Sequence, residues 1–110
     1  ALPVASDAAA IRAALNGSVY DKLDLDSLSR ALHLSKSTVI RTFKAAYGQT
    51  PYEYLLSLKM EAAKLLLRDT DMTVSETALR LAFSDGHYFS NLFFERTGVR
   101  PRDYRRAVRG

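Results

Sequence analysis

Side chains able to perform acid–base, nucleophilic or metal chemistry are few and scattered in this sequence. It contains no cysteine and two histidines, His33 and His87, and neither has carboxylates at metal-ligand spacing. Asp69 and Asp71 flank an expected helix break, where turn formation explains acidic residues better than general acid–base catalysis does. A glycine-rich phosphate loop is also absent. The sequence therefore predicts a protein that is not an enzyme and that requires no metal or cofactor.

Basic side chains are the remaining chemical feature, and they are unevenly distributed. The formal net charge is +4, but residues 96–110 contain six arginines and one aspartate, a net of +5 that leaves −1 for the rest. Such a segment suits either contact with a polyanion or the solvated end of a helix. Charge alone leaves both interpretations open.

Length and composition restrict the kind of protein. A chain of 110 residues with 47% hydrophobic and 25% charged residues suits one compact folded domain. No apolar run approaches the roughly 18 residues needed to span a bilayer, and the N-terminus lacks a signal-peptide pattern. We therefore expect a soluble protein, with the cytoplasm as the default compartment. Because the chain begins at Ala1 without Met, we expect ALPVASDA to be a tail or linker from a longer protein.

Apolar residues recur at helical spacing between turn signals, and no segment alternates in the manner of a strand. The sequence thus predicts an all-α protein of about seven helices. Capping residues, prolines and glycines set the expected bounds. These are a helix from Ala8 to Leu15, a short helix after Asp24, a third between Ser35 and Gly48, a long fourth from Pro51 to about Arg68, a fifth after Thr73, a sixth ending at Gly98, and a basic seventh from Pro101 to Arg109.

The same spacing predicts which side chains face the core. Thr50 with Glu53, and Thr73 with Glu76, have the spacing of capping boxes, which fixes where two of these helices begin. The expected inward residues are Val39, Thr42, Phe43 and Ala46 on the third helix, Leu55, Leu58, Ala62 and Leu65 or Leu66 on the fourth, Ala78, Leu79 and Leu81 on the fifth, and Phe89, Leu92 and Phe93 on the sixth.

A frame of Gly, Pro and Tyr occurs twice, at GQTPYEY and GVRPRDY, with an offset of 50 residues between Gly48 and Gly98. Val39 and Phe43 recur at the same offset as Phe89 and Phe93, so the chain contains a duplicated unit. We expect residues 1–19 to form a linker and the start of the first helix. Residues 20–50 and 70–110 then form two similar units, joined by a connecting helix over residues 51–69. That helix is expected to be a rigid spacer roughly 25 Å long.

Three segments carry a resemblance to the DNA-binding domain of the AraC/XylS family of bacterial transcription regulators. The segment ALRLAFSDGHYFSNLFFERTGVRPRDYR resembles the signature of the second helix-turn-helix motif of that family. LSKSTVIRTFKAAYGQTPYEYL resembles its first motif, and LKMEAAKLLL resembles its connecting helix. The resemblance covers about residues 20–106 in the expected order.

The resemblance implies a fold and a function. The fold is two homeodomain-like helix-turn-helix subdomains joined by a long helix. The function is sequence-specific binding of double-stranded promoter or operator DNA for bacterial transcription regulation, usually activation, in the cytoplasm and at the nucleoid. The implied partners are RNA polymerase and an effector bound by a domain absent from this chain, with the DNA-binding domain itself monomeric.

The resemblance also implies which residues read bases. An α-helix fits the major groove and reads base edges from its N-terminal half. In the first unit Arg41 can donate two hydrogen bonds to guanine, although a surface ion pair is the alternative for it. In the second unit Asn91 can pair with adenine. The full expected base-reading set is Ser37, Ile40, Arg41, Gly86, His87, Tyr88 and Asn91.

Several of these residues also have a second interpretation. Ile40 suits contact with a thymine methyl group or a place in the core, Tyr88 suits partial burial, and His87 suits an ordinary surface position. Phosphate contacts are expected at the N-termini of the two reading helices, near Ser35 and Ser84, and from basic side chains, although Lys44 and Arg96 could equally be solvated. The expected phosphate set is Ser35, Lys36, Lys44, Ser84, Arg96 and Arg102.

Five positions depart from the family pattern, among them Ser29, which stands where a small Ala is usual. His33 and Ala82 stand at turn positions where the family usually has Gly, which predicts strained positive φ angles. Lys59 replaces a usual Arg, and Arg100 stands where a capping Ser or Thr is common.

The rival interpretation is a helical module that binds a protein partner without reading DNA, which gives no reason for two reading helices on one spacer.

Overall fold

The computed structural model describes the backbone of residues 3–110 and the side chains from Asp7 onward. Over that range the chain is all-α, as the sequence predicted. Ala1 and Leu2 of the expected linker lie outside the described residues. The helices are α1 (Pro3–Asn16), α2 (Leu25–Leu32), α3 (Lys36–Tyr47), α4 (Pro51–Asp69), α5 (Val74–Arg80), α6 (Gly86–Thr97) and α7 (Pro101–Arg109).

The described chain divides into two compact units, one ending at Leu58 and one comprising Lys59–Gly110. The boundary lies inside α4, whereas the sequence suggested a connector separate from both units. Each half of α4 therefore belongs to the packing of its own unit.

Helix α1 begins at Pro3, earlier than the Ala8 expected from the sequence. Proline is tolerated in the first helical turn because its missing N–H would have no intrahelical partner there. Alanine-rich sequence then continues the helix at little entropic cost. Ala8, Ile11 and Leu15 form its buried stripe.

The core of the first unit is a cluster of Ile11, Leu15, Val39, Phe43 and Leu55. The Phe43 ring lies 5.3 Å from the Tyr54 ring in an edge arrangement and 4.8 Å from the Tyr47 ring. Ala46 on the same turn as Tyr47 is exposed, so its predicted inward position is wrong.

The core of the second unit is aromatic. Phe83, Phe89 and Phe93 follow one another at centroid separations of 5.3 and 6.0 Å. Tyr104 meets Phe93 edge-on at 5.5 Å, as Tyr54 meets Phe43 at 5.3 Å in the first unit. The duplicated Phe and Tyr positions therefore make the same contact in both units.

The predicted inner faces in this second unit match the observed ones only in part. On α4, Leu65 is 52% exposed whereas its alternative Leu66 is half-buried, and the helix buries Lys59, Met60, Ala63 and Leu67. Leucines occur around most of α4, so the spacing of apolar residues did not define one buried face. The buried face also contains a lysine, which made it harder to recognise in the sequence. Leu79 is 69% exposed because Thr77 and Ala78 occupy the inner side of α5.

The predicted caps and turns are present. Glu53 N–H donates to Thr50 Oγ1 at 3.1 Å while Thr50 N–H donates to Glu53 Oε1 at 2.8 Å, and Thr73 with Glu76 forms the second capping box. Ser27 N–H donates to Asp24 Oδ1 at 3.1 Å, and this hydrogen bond is the main cause that lowers the pKa of Asp24.

Helices α3 and α6 end as the repeated frame predicted. Gly48 and Gly98 follow α3 and α6 with φ of 76° and 83°. The preceding turns contain His33 at φ 58° and Ala82 at φ 63°, so two non-glycine residues adopt the strained left-handed conformation expected from the sequence.

Candidate nucleic-acid interface

Each unit contains two helices joined by a tight turn. In the first unit, α2 and α3 are joined through His33, whose N–H donates to the Arg30 carbonyl at 3.3 Å. In the second, α5 and α6 are joined through Ala82, whose N–H donates to the Leu79 carbonyl at 2.9 Å. In both units the second helix buries an apolar face and leaves the opposite face in solvent.

The outer face of α3 consists of Lys36, Ser37, Ile40, Arg41 and Lys44, all of them exposed. Their spacing places them together on one side of a helix whose other side is buried. The side chains of Arg41 and Lys44 have no ion pair or hydrogen bond among the described residues, so the ion-pair alternative for Arg41 has no support. Ile40 is 37% exposed and is therefore not a core residue.

The N-terminus of α3 is capped by Ser35. Thr38 N–H donates to Ser35 Oγ at 3.1 Å, and Ser35 Oγ donates in turn to Thr38 Oγ1 at 2.8 Å. Lys36 Nζ lies 2.9 Å from Asp26 Oδ1, with both side chains more than half exposed. A surface ion pair of this kind is worth only about 0–1 kcal/mol, so a phosphate group could displace Asp26.

The N-terminus of α6 differs from the expectation placed on Ser84. Asp85, the next residue, is the N-cap, and His87 N–H donates to Asp85 Oδ1 at 2.7 Å. The carboxylate already satisfies a first-turn N–H group and places negative charge where a phosphate would approach. Asp85 rather than Ser84 is therefore the cap of α6, and the expected phosphate contact of exposed Ser84 stays a prediction.

The outer face of α6 consists of His87, Tyr88 and Asn91, with half-buried Gly86 at its start. The His87 imidazole has no hydrogen bond among the described residues. Tyr88 is 45% exposed and its ring lies 5.9 Å from the ring of buried Phe83, so it contacts the core from the surface. A Cβ at Gly86 would meet only Ser75 Oγ at an ordinary 3.7 Å, so packing does not require a glycine there.

Charge distinguishes α3 from α6. Helix α3 contains Lys36, Arg41 and Lys44 and no acidic residue. Helix α6 contains Arg96 and Glu95, which cancel, and its N-cap is the acidic Asp85. Electrostatic attraction for a polyanion is therefore concentrated on α3.

The side chain of Asn91 contacts a residue that the sequence did not predict to lie near it. Arg100 Nη1 donates to Asn91 Oδ1 at 2.8 Å, and the guanidinium carbon of Arg100 lies 4.7 Å from the ring centroid of Phe94. Arg100 precedes α7 as its N-cap and makes no side-chain capping bond. The only signal for this contact in the sequence was that Arg100 stands at the position where the first repeat has the capping residue Thr50.

The arginines of α7 divide into two groups. The guanidinium groups of Arg105 and Arg109 are bound to carbonyl groups at the end of α4. Arg102 is exposed and its side chain has no partner among the described residues, so it remains a candidate phosphate contact. Arg96 is exposed on the last turn of α6, and its expected phosphate contact also remains a prediction. The basic C-terminal segment thus has fewer free charges than its composition suggests.

The described residues also bear on two other classes of site. No helix there combines the length and the apolar character needed to cross a membrane. No group of three or more His, Cys, Asp or Glu side chains among residues 7–110 could hold a metal ion.

Two helix-turn-helix units with solvent-facing second helices define a class of protein, the helix-turn-helix regulators. The sequence matches the family described as "Helix-turn-helix domain" over residues 28–107. The chain belongs to this family, in its AraC type, which confirms the resemblance seen in the sequence.

Two curated relatives and one solved structure illustrate the similarity. The MmsAB operon regulatory protein of Pseudomonas aeruginosa is 35% identical over 91 residues, covering 83% of this chain and 30% of that protein. The HTH-type transcriptional activator RhaS of Escherichia coli is 36% identical over 90 residues, covering 82% and 32%. The chain thus spans about a third of the length of these relatives.

The solved structure is the DNA-binding domain of AdpA, a global transcriptional factor, in complex with a target DNA. It superposes with a TM-score of 0.81 at 27% identity and covers 99% of this chain and 95% of that chain.

Proposed function

We propose that this chain binds double-stranded DNA in a sequence-specific manner and that α3 is its principal reading helix. The observation that carries the proposal is the outer face of α3, where Arg41 and Lys44 are exposed beside Ile40 with no acidic residue on the helix. Such a face offers both a forked donor for base edges and charge for phosphates.

Each residue of that face has a separate role. Arg41 donates to guanine O6 and N7, Ile40 contacts a thymine methyl group, and Ser37 supplies a further polar contact to a base edge. Lys36 and Lys44 contact phosphates on either side of the groove, together with the N-terminal turn at Ser35.

The second unit supplies a weaker set. His87, Tyr88 and Asn91 contact bases, and Gly86 allows close approach of the backbone. Arg96 and Arg102 contact phosphates, while exposed Ser84 contributes at most one hydroxyl group. The acidic cap Asp85 reduces the attraction of α6 for DNA, and this supports an asymmetric site read mainly by the first unit.

At the level of the cell, we propose a bacterial transcription activator in the cytoplasm, associated with the nucleoid. Its DNA-binding domain acts as a monomer beside RNA polymerase, and a separate domain binds the effector. The name of the relative RhaS, a transcriptional activator, and the DNA complex of AdpA support this assignment.

Selection of bound duplexes from a randomised library, followed by affinity measurement at several salt concentrations, tests the proposal. We expect one enriched motif and a fall in log K with log salt of about 0.9 per phosphate neutralised. Heparin serves as the matched polyanion without bases. No binding at low salt, or equal affinity for the motif, for random duplex and for heparin, would favour the rival helical module that binds a protein partner.

A further inference from the structure

The amide oxygen of Asn91 already accepts one hydrogen bond within the protein. Bidentate recognition of adenine requires the Asn Oδ1 to accept from N6–H while Nδ2 donates to N7. In this protein Oδ1 already accepts a hydrogen bond from Arg100 Nη1 at 2.8 Å. The guanidinium group has no acceptor atom, so this contact fixes which end of the amide faces Arg100.

Arg100 is itself held in place from a second direction. Its guanidinium carbon lies 4.7 Å from the centroid of the Phe94 ring, a distance typical of a cation–π contact. Phe94 and Asn91 lie three residues apart on α6 and therefore share one side of the helix. The aromatic face and the amide oxygen together position the guanidinium group, although it belongs to an exposed residue.

We propose that Arg100 is a positioning residue for base reading, which holds Asn91 as a hydrogen-bond donor so that the second unit prefers guanine to adenine at the base that Asn91 contacts. This inference rests on the proposed function, because it requires α6 to lie in a major groove. Guanine presents two acceptors, N7 and O6, on its groove edge, whereas adenine presents an N6–H₂ donor beside N7. With Oδ1 engaged by a cation, the Nδ2–H groups suit the guanine edge.

Contact with DNA strengthens this arrangement. Removal of water lowers the effective dielectric around the Arg100–Asn91 hydrogen bond, which makes a charge-assisted bond stronger than it is in the free protein. The second lone pair of Oδ1 is a weaker acceptor beside the guanidinium charge. Adenine N6–H₂ thus loses its partner at this position.

The test compares base preferences selected from a randomised duplex library by the 110-residue domain and four variants. Asn91→Ala identifies the base pair that Asn91 contacts, because preference should be lost there alone. Arg100→Met removes the donor and keeps an apolar stem over Phe94. Arg100→Thr places at the N-cap the residue that caps α4 in the first repeat, so it protects the fold of α7. Arg106→Met is the matched control, because exposed Arg106 lies on α7 and contacts Asp103 rather than Asn91.

For the wild type and Arg106→Met we expect guanine to be preferred at the Asn91 position. In both Arg100 variants the ratio of adenine to guanine should rise by about ten-fold. A wild-type preference for adenine would overturn the inference, as would an unchanged ratio in the Arg100 variants. A uniform loss of affinity in those variants, with base preference intact, would make Arg100 a phosphate contact instead. Failure of the wild type to enrich any sequence would overturn the proposed function as well.

Discussion

Arg105 Nε donates a hydrogen bond to the carbonyl oxygen of Leu67 at 2.8 Å. The last carbonyl groups of an α-helix have no intrahelical hydrogen-bond donor. At the end of α4, arginines of α7 donate hydrogen bonds to these carbonyl groups. Arg105 Nη2 also reaches the Thr70 carbonyl at 3.2 Å, while Arg109 Nε donates to the Arg68 carbonyl at 3.1 Å and Arg109 Nη2 to that of Thr70. Positive charge at a helix C-terminus is further favoured by the helix dipole. Much of the basic C-terminal segment therefore stabilises the second unit.

Arg105→Met should destabilise the second unit without changing DNA recognition. Loss of two hydrogen bonds from a charged donor leaves helix-end carbonyls unsatisfied, at a cost of about 1–3 kcal/mol in the free energy of unfolding. Urea denaturation gives this value directly. Arg102→Met is the matched control. It should change the free energy of unfolding by less than about 0.5 kcal/mol. It should also lower the salt slope of DNA binding by about one. Equal stability losses in the two variants would contradict this division of roles.

Glycine at either strained turn should stabilise the protein. His33 and Ala82 have φ of 58° and 63°, where an L side chain costs roughly 1–2 kcal/mol. Part of that gain is offset by the greater freedom of glycine in the unfolded chain. We expect His33→Gly and Ala82→Gly each to raise the free energy of unfolding by about 0.5–1 kcal/mol, as measured by denaturant titration.

Gly48→Ala is the control for those turn variants. Gly48 has φ 76°, and a Cβ there would meet no atom within 4 Å apart from its two chain neighbours, so only backbone strain changes. This variant should lose about 1 kcal/mol. Lower stability of both glycine variants relative to the wild type would show that side-chain contacts of His33 and Ala82 outweigh the backbone strain.

Arg41 and Lys44 should differ in the kind of binding they support. Arg41→Ala should cost about 1–3 kcal/mol on the preferred site and relax base preference at one position, because a forked donor to a base edge is lost. Lys44→Ala should weaken binding to all sequences similarly, because a phosphate contact carries no sequence information. Selection from random duplexes separates the two outcomes. Unchanged base preference in Arg41→Ala would remove Arg41 from the reading set.

Local signals in the sequence were sufficient for most of the fold. Caps such as Thr73 with Glu76, and C-terminal glycines such as Gly98, depend on neighbours within a few residues, so the sequence carries them directly. The Phe and Tyr positions that recur in the sequence make the same edge-on contact in both units. These features involve chemistry that a single stretch of chain contains.

Features that depend on distant partners could not be read in this way. Lys59 is 5% exposed, and its Nζ donates to the Leu81 carbonyl at 2.6 Å, so a charged residue occupies a core-facing position because a remote turn offers an acceptor. The partner of Arg105 lies 38 residues away in sequence. Asn91 was assigned to adenine from its own chemistry, whereas its acceptor is engaged by Arg100 beyond the end of the helix.

Helix α4 offers a test of whether both units read DNA at once. It is continuous over 19 residues and belongs to both units, with the boundary between Leu58 and Lys59. A four-residue insertion at that boundary would turn everything after it by about 40° and advance it by about 6 Å relative to the present arrangement. If the two reading helices bind one duplex together, footprinting should then show loss of tight binding to the selected site. A shorter duplex with only the base pairs read by α3 is the control and should bind both proteins equally. Protection of the same full site with the same affinity would mean that the second unit supports the first rather than reading DNA beside it.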